Sequence, residues 1–179
     1  MKKMYVIGGV LSLVLVCAFA IAAQQDKSKR PSPPAQAKWD LGSGKAVTID
    51  YSSPRAKSRK IYGELVPFGQ VWRTGANEAT TLVTPVDLTI GGTTVPAGSY
   101  TIFTVPNKDK WALVISKKTG EWGTDYPGQA NDLTRVDMKV SALPSAAENF
   151  TIAFEKTGNG ANLNIDWETT RASVTVSKK

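Results

Sequence analysis

Residues 86–116, VDLTIGGTTVPAGSYTIFTVPNKDKWALVIS, decide the fold. Val86, Leu88 and Ile90 alternate with polar residues, and period-two alternation over so short a run is the pattern of a half-buried strand. Gly91-Gly92 follows, a two-residue hairpin signal, because two positive-φ positions match the twist of the flanking strands. Residues 93–95 lead to a turn at Pro96-Ala97-Gly98. Residues 99–105 and 110–116 then flank Pro106-Asn107-Lys108-Asp109, a second hairpin. Tyr100 to Val105 is apolar on both faces, which predicts a strand at the centre of a sheet.

The same pattern extends in both directions. Residues 46–51 place Val47, Ile49 and Tyr51 on one face, and residues 81–84 form the next strand, ended by Pro85. Downstream, residues 133–143 alternate Val136, Met138 and Val140 against Arg135, Asp137 and Lys139. Residues 150–155 align Phe150, Ile152 and Phe154; residues 162–167 align Leu163, Ile165 and Trp167; Ala172, Val174 and Val176 close the chain. No stretch carries a convincing helical period. Eight or nine strands at about ten-residue spacing predict an all-β, antiparallel β-sandwich of one domain, with a jelly roll as the connectivity to look for.

Composition removes several chemistries. The 179 residues include no His and one Cys, so a Ser-His-Asp triad, a His-ligated zinc, an intramolecular disulfide and a thiolate cluster are excluded. No cofactor is expected. The formal charge is +7, from 22 Lys and Arg against 15 Asp and Glu, but it is unevenly placed. Residues 39–179 hold 16 basic and 14 acidic side chains, a net +2. The excess lies in the N-terminal segments, which argues against a nucleic-acid partner.

Residues 1–23 read as a signal peptide. Lys2 and Lys3 precede an uncharged apolar run, and Ala20-Ile21-Ala22 has the small-residue spacing of a cleavage site. The alternatives are an uncleaved anchor or lipidation at Cys17, where bulky Val16 departs from a lipobox; only these would bring membrane attachment. The expected location is periplasmic or secreted. Residues 24–38, QQDKSKRPSPPAQAK, hold three prolines and nothing apolar larger than Ala, so they read as a disordered linker before a domain at 39–179.

Two segments break the strand pattern, residues 52–79 and 119–132. Both are too rich in aromatics for disorder and read as ordered loops, where a site is expected. Arg55, Lys57, Arg59 and Lys60 are four cations in six residues, either a solvated basic loop or an anion contact; Pro54 would aim Arg55 in one direction. In VWRTGANEAT (71–80), Trp72 is either a sugar-stacking platform or a core plug. Arg73 and Glu78 are either a buried ion pair or ligand contacts, and Asn77 either caps its own turn or donates to a ligand. Glu78, Glu121 and Asp125 are the carboxylates clustered in loops, weak candidates for acid/base work, which needs a separation the sequence does not give. Asp125 and Asp132 lack the ligand density of a calcium loop, and no metal is expected.

SPRAKSRKIYGELVPFGQVWRTGANEATTL, PAGSYTIFTVP, WALVISKKTGEWGTDY, NFTIAFE and NIDWETTRASV together resemble the domain-of-unknown-function 2911 family (DUF2911) over about residues 38–178. The resemblance implies an exported bacterial envelope protein and supplies no activity or catalytic residue. It makes Arg55, Trp72, Arg73, Asn77, Glu78 and Trp122 prominent without assigning them roles. The expectation is a β-domain that binds a small polar or anionic ligand, or an envelope glycan, between the two long loops. Arg55 and Arg73 would hold charge, Asn77 would orient and Trp72 or Trp122 would stack. A carboxylate-dependent hydrolase or lyase using Glu78, and a structural or assembly module, are the alternatives.

Overall fold

In the computed structural model, residues 26–123 and 125–179 are described; the leader expected at 1–23 lies outside the described residues. Nine strands follow one another: β1 (Pro34–Gly42), β2 (Lys45–Ser52), β3 (Thr80–Thr84), β4 (Leu88–Ile90), β5 (Thr93–Val95), β6 (Gly98–Val105), β7 (Lys110–Ser116), β8 (Asp132–Thr157) and β9 (Gly160–Lys178). Every strand pair is antiparallel, in the order β1-β2-β3-β6-β7-β8-β9-β4-β5. The all-β expectation holds. Gly91 and Gly92 take φ of 54° and 84°, closing the β4–β5 hairpin with Ile90 opposite Thr93.

β6 lies between β3 and β7, as its two apolar faces predict. Tyr100 and Ile102 enter the main core, whereas Phe103 is buried on the opposite face under the ring of Tyr126, 5.3 Å away centre to centre. Tyr126 therefore covers the outer face of the sheet's middle.

The ladder forms one continuous antiparallel sheet of nine strands. The reason is the length of β8 and β9. The first half of β8 pairs with β7, and its second half pairs with the start of β9. Register shifts between Ala142 and Ala147 and between Ala147 and Thr151 separate the two halves, and such irregularities bend a strand and raise its twist. The segments read as separate strands at 133–143 and 150–155 are thus one strand, which carries hydrogen bonding from one layer into the next. Doubling over lets a single sheet enclose a core from Trp39, Ile49, Leu82, Ile102, Trp111, Met138, Ile152, Ile165 and Val176.

β1 begins inside the stretch read as a disordered linker. Ala37 is 5% exposed and Ala35 packs on the core, so the buried face of this strand is made of alanines, too small to register as an apolar period. Pro34 is its first residue, a position where the missing N–H costs nothing on an edge strand. Ahead of it a 3-10 turn, Lys27–Lys29, is capped by the Asp26 carboxylate, which accepts from Ser28 N at 3.1 Å.

Candidate functional site

The VWRTGANEAT segment is held by the domain on every side. Trp72 exchanges two backbone hydrogen bonds with Thr104 at 2.8 and 2.9 Å, extending the edge of β6 beyond β3. Its indole enters an aromatic cluster: Trp167 stacks on it at 6.0 Å, and Phe150 and Tyr62 meet it edge-on at 5.2 and 6.3 Å. Of the two readings of Trp72, the geometry selects the plug. Thr74 is fully buried with φ 57°, and its hydroxyl donates to Trp72 O at 3.2 Å and meets Thr104 Oγ1 at 3.1 Å. A β-branched residue at positive φ is strained, and it persists only where the surroundings over-determine it. Here Thr80 Oγ1 donates to Thr74 O at 2.7 Å, and Ala76 N donates to Ser52 O.

Asn77 and Glu78 fasten the N-terminal arm. Asn77, at φ 56°, donates through Nδ2 to Ser32 O at 3.1 Å while its carbonyl accepts from Gly123 N. The anticipated Arg73–Glu78 ion pair does not form. Glu78 instead accepts from Arg30 at 2.9 and 3.2 Å and pairs with Lys27 at 3.0 Å. Partial desolvation raises the Glu78 pKa, but a backbone N–H and the Lys27 and Arg30 contacts outweigh it and bring it to about 2. A general acid at neutral pH needs the opposite shift. The cations that set this value came from the segment read as linker, so sequence spacing did not connect them to Glu78.

Arg73 is half-buried and forms no ion pair among the described residues; burial lowers its pKa, and its Nε lacks a hydrogen-bond partner. The Trp72–Thr104 bridge puts Arg73 opposite Phe103, on the sheet face away from the core. Glu121 lies over that outer face, accepting from Thr101 Oγ1 at 2.9 Å. Asp125 is exposed, and Trp122, at 57% exposed, stands on the same loop. Asp132 is occupied within the fold by Tyr126 at 2.9 Å and Arg135 at 2.7 Å. Arg55 turns back on its own loop, donating to Ser53 O and Oγ at 2.8 and 2.9 Å. Arg55, Trp72, Asn77 and Glu78 are thus spread over separate internal contacts and do not converge on one groove.

A groove does form elsewhere. It measures about 760 Å³ and lies between β1 and the β8–β9 hairpin, lined by residues 38–42, by Phe154 and Lys156, by the 158–160 turn and by Lys178. Trp39 and Phe154, 6.1 Å apart, meet beneath it, with Trp39 only 7% exposed. Lys38, Lys156 and Lys178 form no ion pair among the described residues. The one acidic lining residue, Asp40, accepts a hydrogen bond from Gly42 N at 2.8 Å. Three lysines against one aspartate give the lining a net positive charge, which attracts anions. Sequence reasoning missed it because its lysines are 118 and 22 positions apart in the chain and come from three strands. Each alone is an ordinary strand residue.

With this geometry in place, comparison with known proteins gives one match. The family model described as "Protein of unknown function (DUF2911)" matches residues 32–176, and the chain belongs to that family. No curated protein and no solved structure matches it. Among the described residues no helix is long and apolar enough to cross a membrane, and no group of three or more acidic or Cys side chains is gathered as a metal site.

Proposed function

We propose that this member of the DUF2911 family is an exported binding protein, periplasmic or secreted, whose groove between β1 and the β8–β9 hairpin takes a polar, anionic ligand. One observation carries the reading: Lys38, Lys156 and Lys178 border a groove of about 760 Å³ without ion-pair partners among the described residues. Unpaired cations around a concavity are a cost in self-repulsion that an arriving anion relieves. The ligand site moves from the loops to this groove because Trp72 fills the core and Asn77 and Glu78 hold the arm. The lysines supply charge and hydrogen-bond donors, and the Trp39–Phe154 pair supplies an apolar floor.

Thermal unfolding against a panel of anions tests this, with phosphate, citrate, a polyuronate and an acidic peptide as probes. A ligand at a hundred times its Kd adds about 2.7 kcal/mol. The expected result is a shift with at least one anion that weakens with salt and disappears in Lys38→Glu/Lys156→Glu, while Trp122→Ala retains it. An unchanged melting temperature across the panel, or a shift indifferent to the lysine changes, overturns the reading.

A further inference from the structure

We infer that the groove's ligand is an organic phosphate, its phosphoryl group seated against the Gly158-Asn159 turn and met by Lys38, Lys156 and Lys178. This rests on the anion-binding reading above and deepens it.

Most glycines of the chain have a local reason to be glycine. Among the described residues, every one from Gly42 to Gly128 takes a positive φ, and a Cβ at Gly160 would run into the backbone of Val176. Gly158 alone has neither reason. Its φ lies outside the left-handed region, and an added Cβ would meet nothing within 4 Å. Conformation and packing thus leave this position free to carry a side chain. A glycine required by neither is expected where a ligand comes close to the backbone, and Gly158 lines the groove.

The same turn brings donors. Thr157 and Gly160 are paired where β8 passes into β9, so Gly158 and Asn159 are the two residues outside the ladder. No carbonyl among the described residues accepts from the N–H of either. Asn159 adds a side-chain amide to the lining. Together with three lysine ammonium groups these make a lining rich in donors. Its one carboxylate, Asp40, already accepts from Gly42 N at 2.8 Å.

The donor set favours phosphate over carboxylate. Its members come from β1, from β8 and the turn after it, and from the end of β9. A phosphoryl group has three oxygens about a tetrahedral centre and a charge of about −1.5 to −2 at neutral pH, so it accepts from several directions at once. A carboxylate offers two oxygens in one plane, the shape that arginine's planar fork matches. No arginine lines the groove; its cations are all lysines, compact point charges. At about 760 Å³ the groove is larger than a phosphate ion, which leaves room for an organic body over the Trp39–Phe154 floor.

Titration calorimetry on the purified protein tests this with glycerol 3-phosphate, with succinate as a carboxylate of similar charge, and with vesicles containing phosphatidic acid. The expected result is that glycerol 3-phosphate binds at least about tenfold more tightly than succinate. Gly158→Ala should weaken that binding at least about tenfold. Its Tm should stay within about a degree of wild type, because the added methyl enters open space. Binding of the vesicles in place of glycerol 3-phosphate assigns the phosphate to a lipid headgroup, and Gly158→Ala should weaken it equally. Equal binding of succinate overturns the phosphate assignment, and wild-type binding by Gly158→Ala overturns the seat at the turn; both leave an anion-binding groove. If neither phosphate probe nor succinate binds, the inference fails. The anion-binding reading fails with it only when citrate, the polyuronate and the acidic peptide also leave the melting temperature unchanged.

Discussion

Replacing Trp72 by Ala tests the assignment of this residue to the core. Its indole stacks on Trp167 at 6.0 Å and meets Phe150, Tyr62 and Trp111 edge-on at 5.2, 6.3 and 6.5 Å. Truncating a fully buried Trp costs about 3–5 kcal/mol through lost transfer energy and the cavity left behind. Trp72 is half-buried, which places it at the lower end, about 3 kcal/mol. For a domain of this size each kcal/mol lowers Tm by about 2–4 °C, so the expected fall is about 6–12 °C. Urea unfolding followed by far-UV circular dichroism gives the free energy, and tryptophan fluorescence reports the altered cluster. Trp72→Phe should recover about half of the loss, since an edge-on contact with Phe150 survives. A loss of less than about 1 kcal/mol, with the melt otherwise unchanged, would refute the plug and return Trp72 to the solvent-facing role.

Trp122→Ala should leave stability within about 0.5 kcal/mol, because 57% of that side chain is exposed; urea midpoints check it. Glu78→Gln should cost about 1 kcal/mol at pH 7, a figure held down because more than a third of the side chain is exposed. The Glu78 pKa is depressed from 4.5 to about 2 in the folded state, so its contribution is present above pH 4.5. It is lost as pH falls toward 2, and wild type and Glu78→Gln should converge over that window in acid titrations of the urea midpoint. Gly75→Ala should destabilise by about 2 kcal/mol: φ is 153°, and a Cβ there lies 2.9 Å from Ser52 O, so backbone must move. Differential scanning calorimetry decides this, and a Tm unchanged within a degree contradicts it.

Much of the ladder was legible in the chain because strand alternation and turn residues are local signals. Gly91-Gly92 demands positive φ wherever it occurs, and the two-faced apolarity of 100–105 requires cover on both sides, supplied by the core and by Tyr126. The candidate site was legible only in part. Trp72, Asn77 and Glu78 stood out as unusual residues in one loop, but their partners, Trp167, Ser32 and Arg30, are remote in sequence. Nothing local told a ligand contact from a latch. β1 was read as linker because alanine carries too little apolar surface to mark a period.

By itself the sequence determined the all-β class, the hairpins, the central place of β6 and the exclusion of histidine chemistry and of an intramolecular disulfide. These follow from backbone preference, side-chain period and composition, which act within a few residues. Tertiary structure alone decided that the strands join in one doubled-over sheet, because β8 and β9 are long enough to serve both layers. It alone placed Arg30 and Lys27 on Glu78, and Lys38, Lys156 and Lys178 around one groove. Charge and hydrogen-bond complementarity act across space between segments the chain keeps far apart, and only the folded register brings them together.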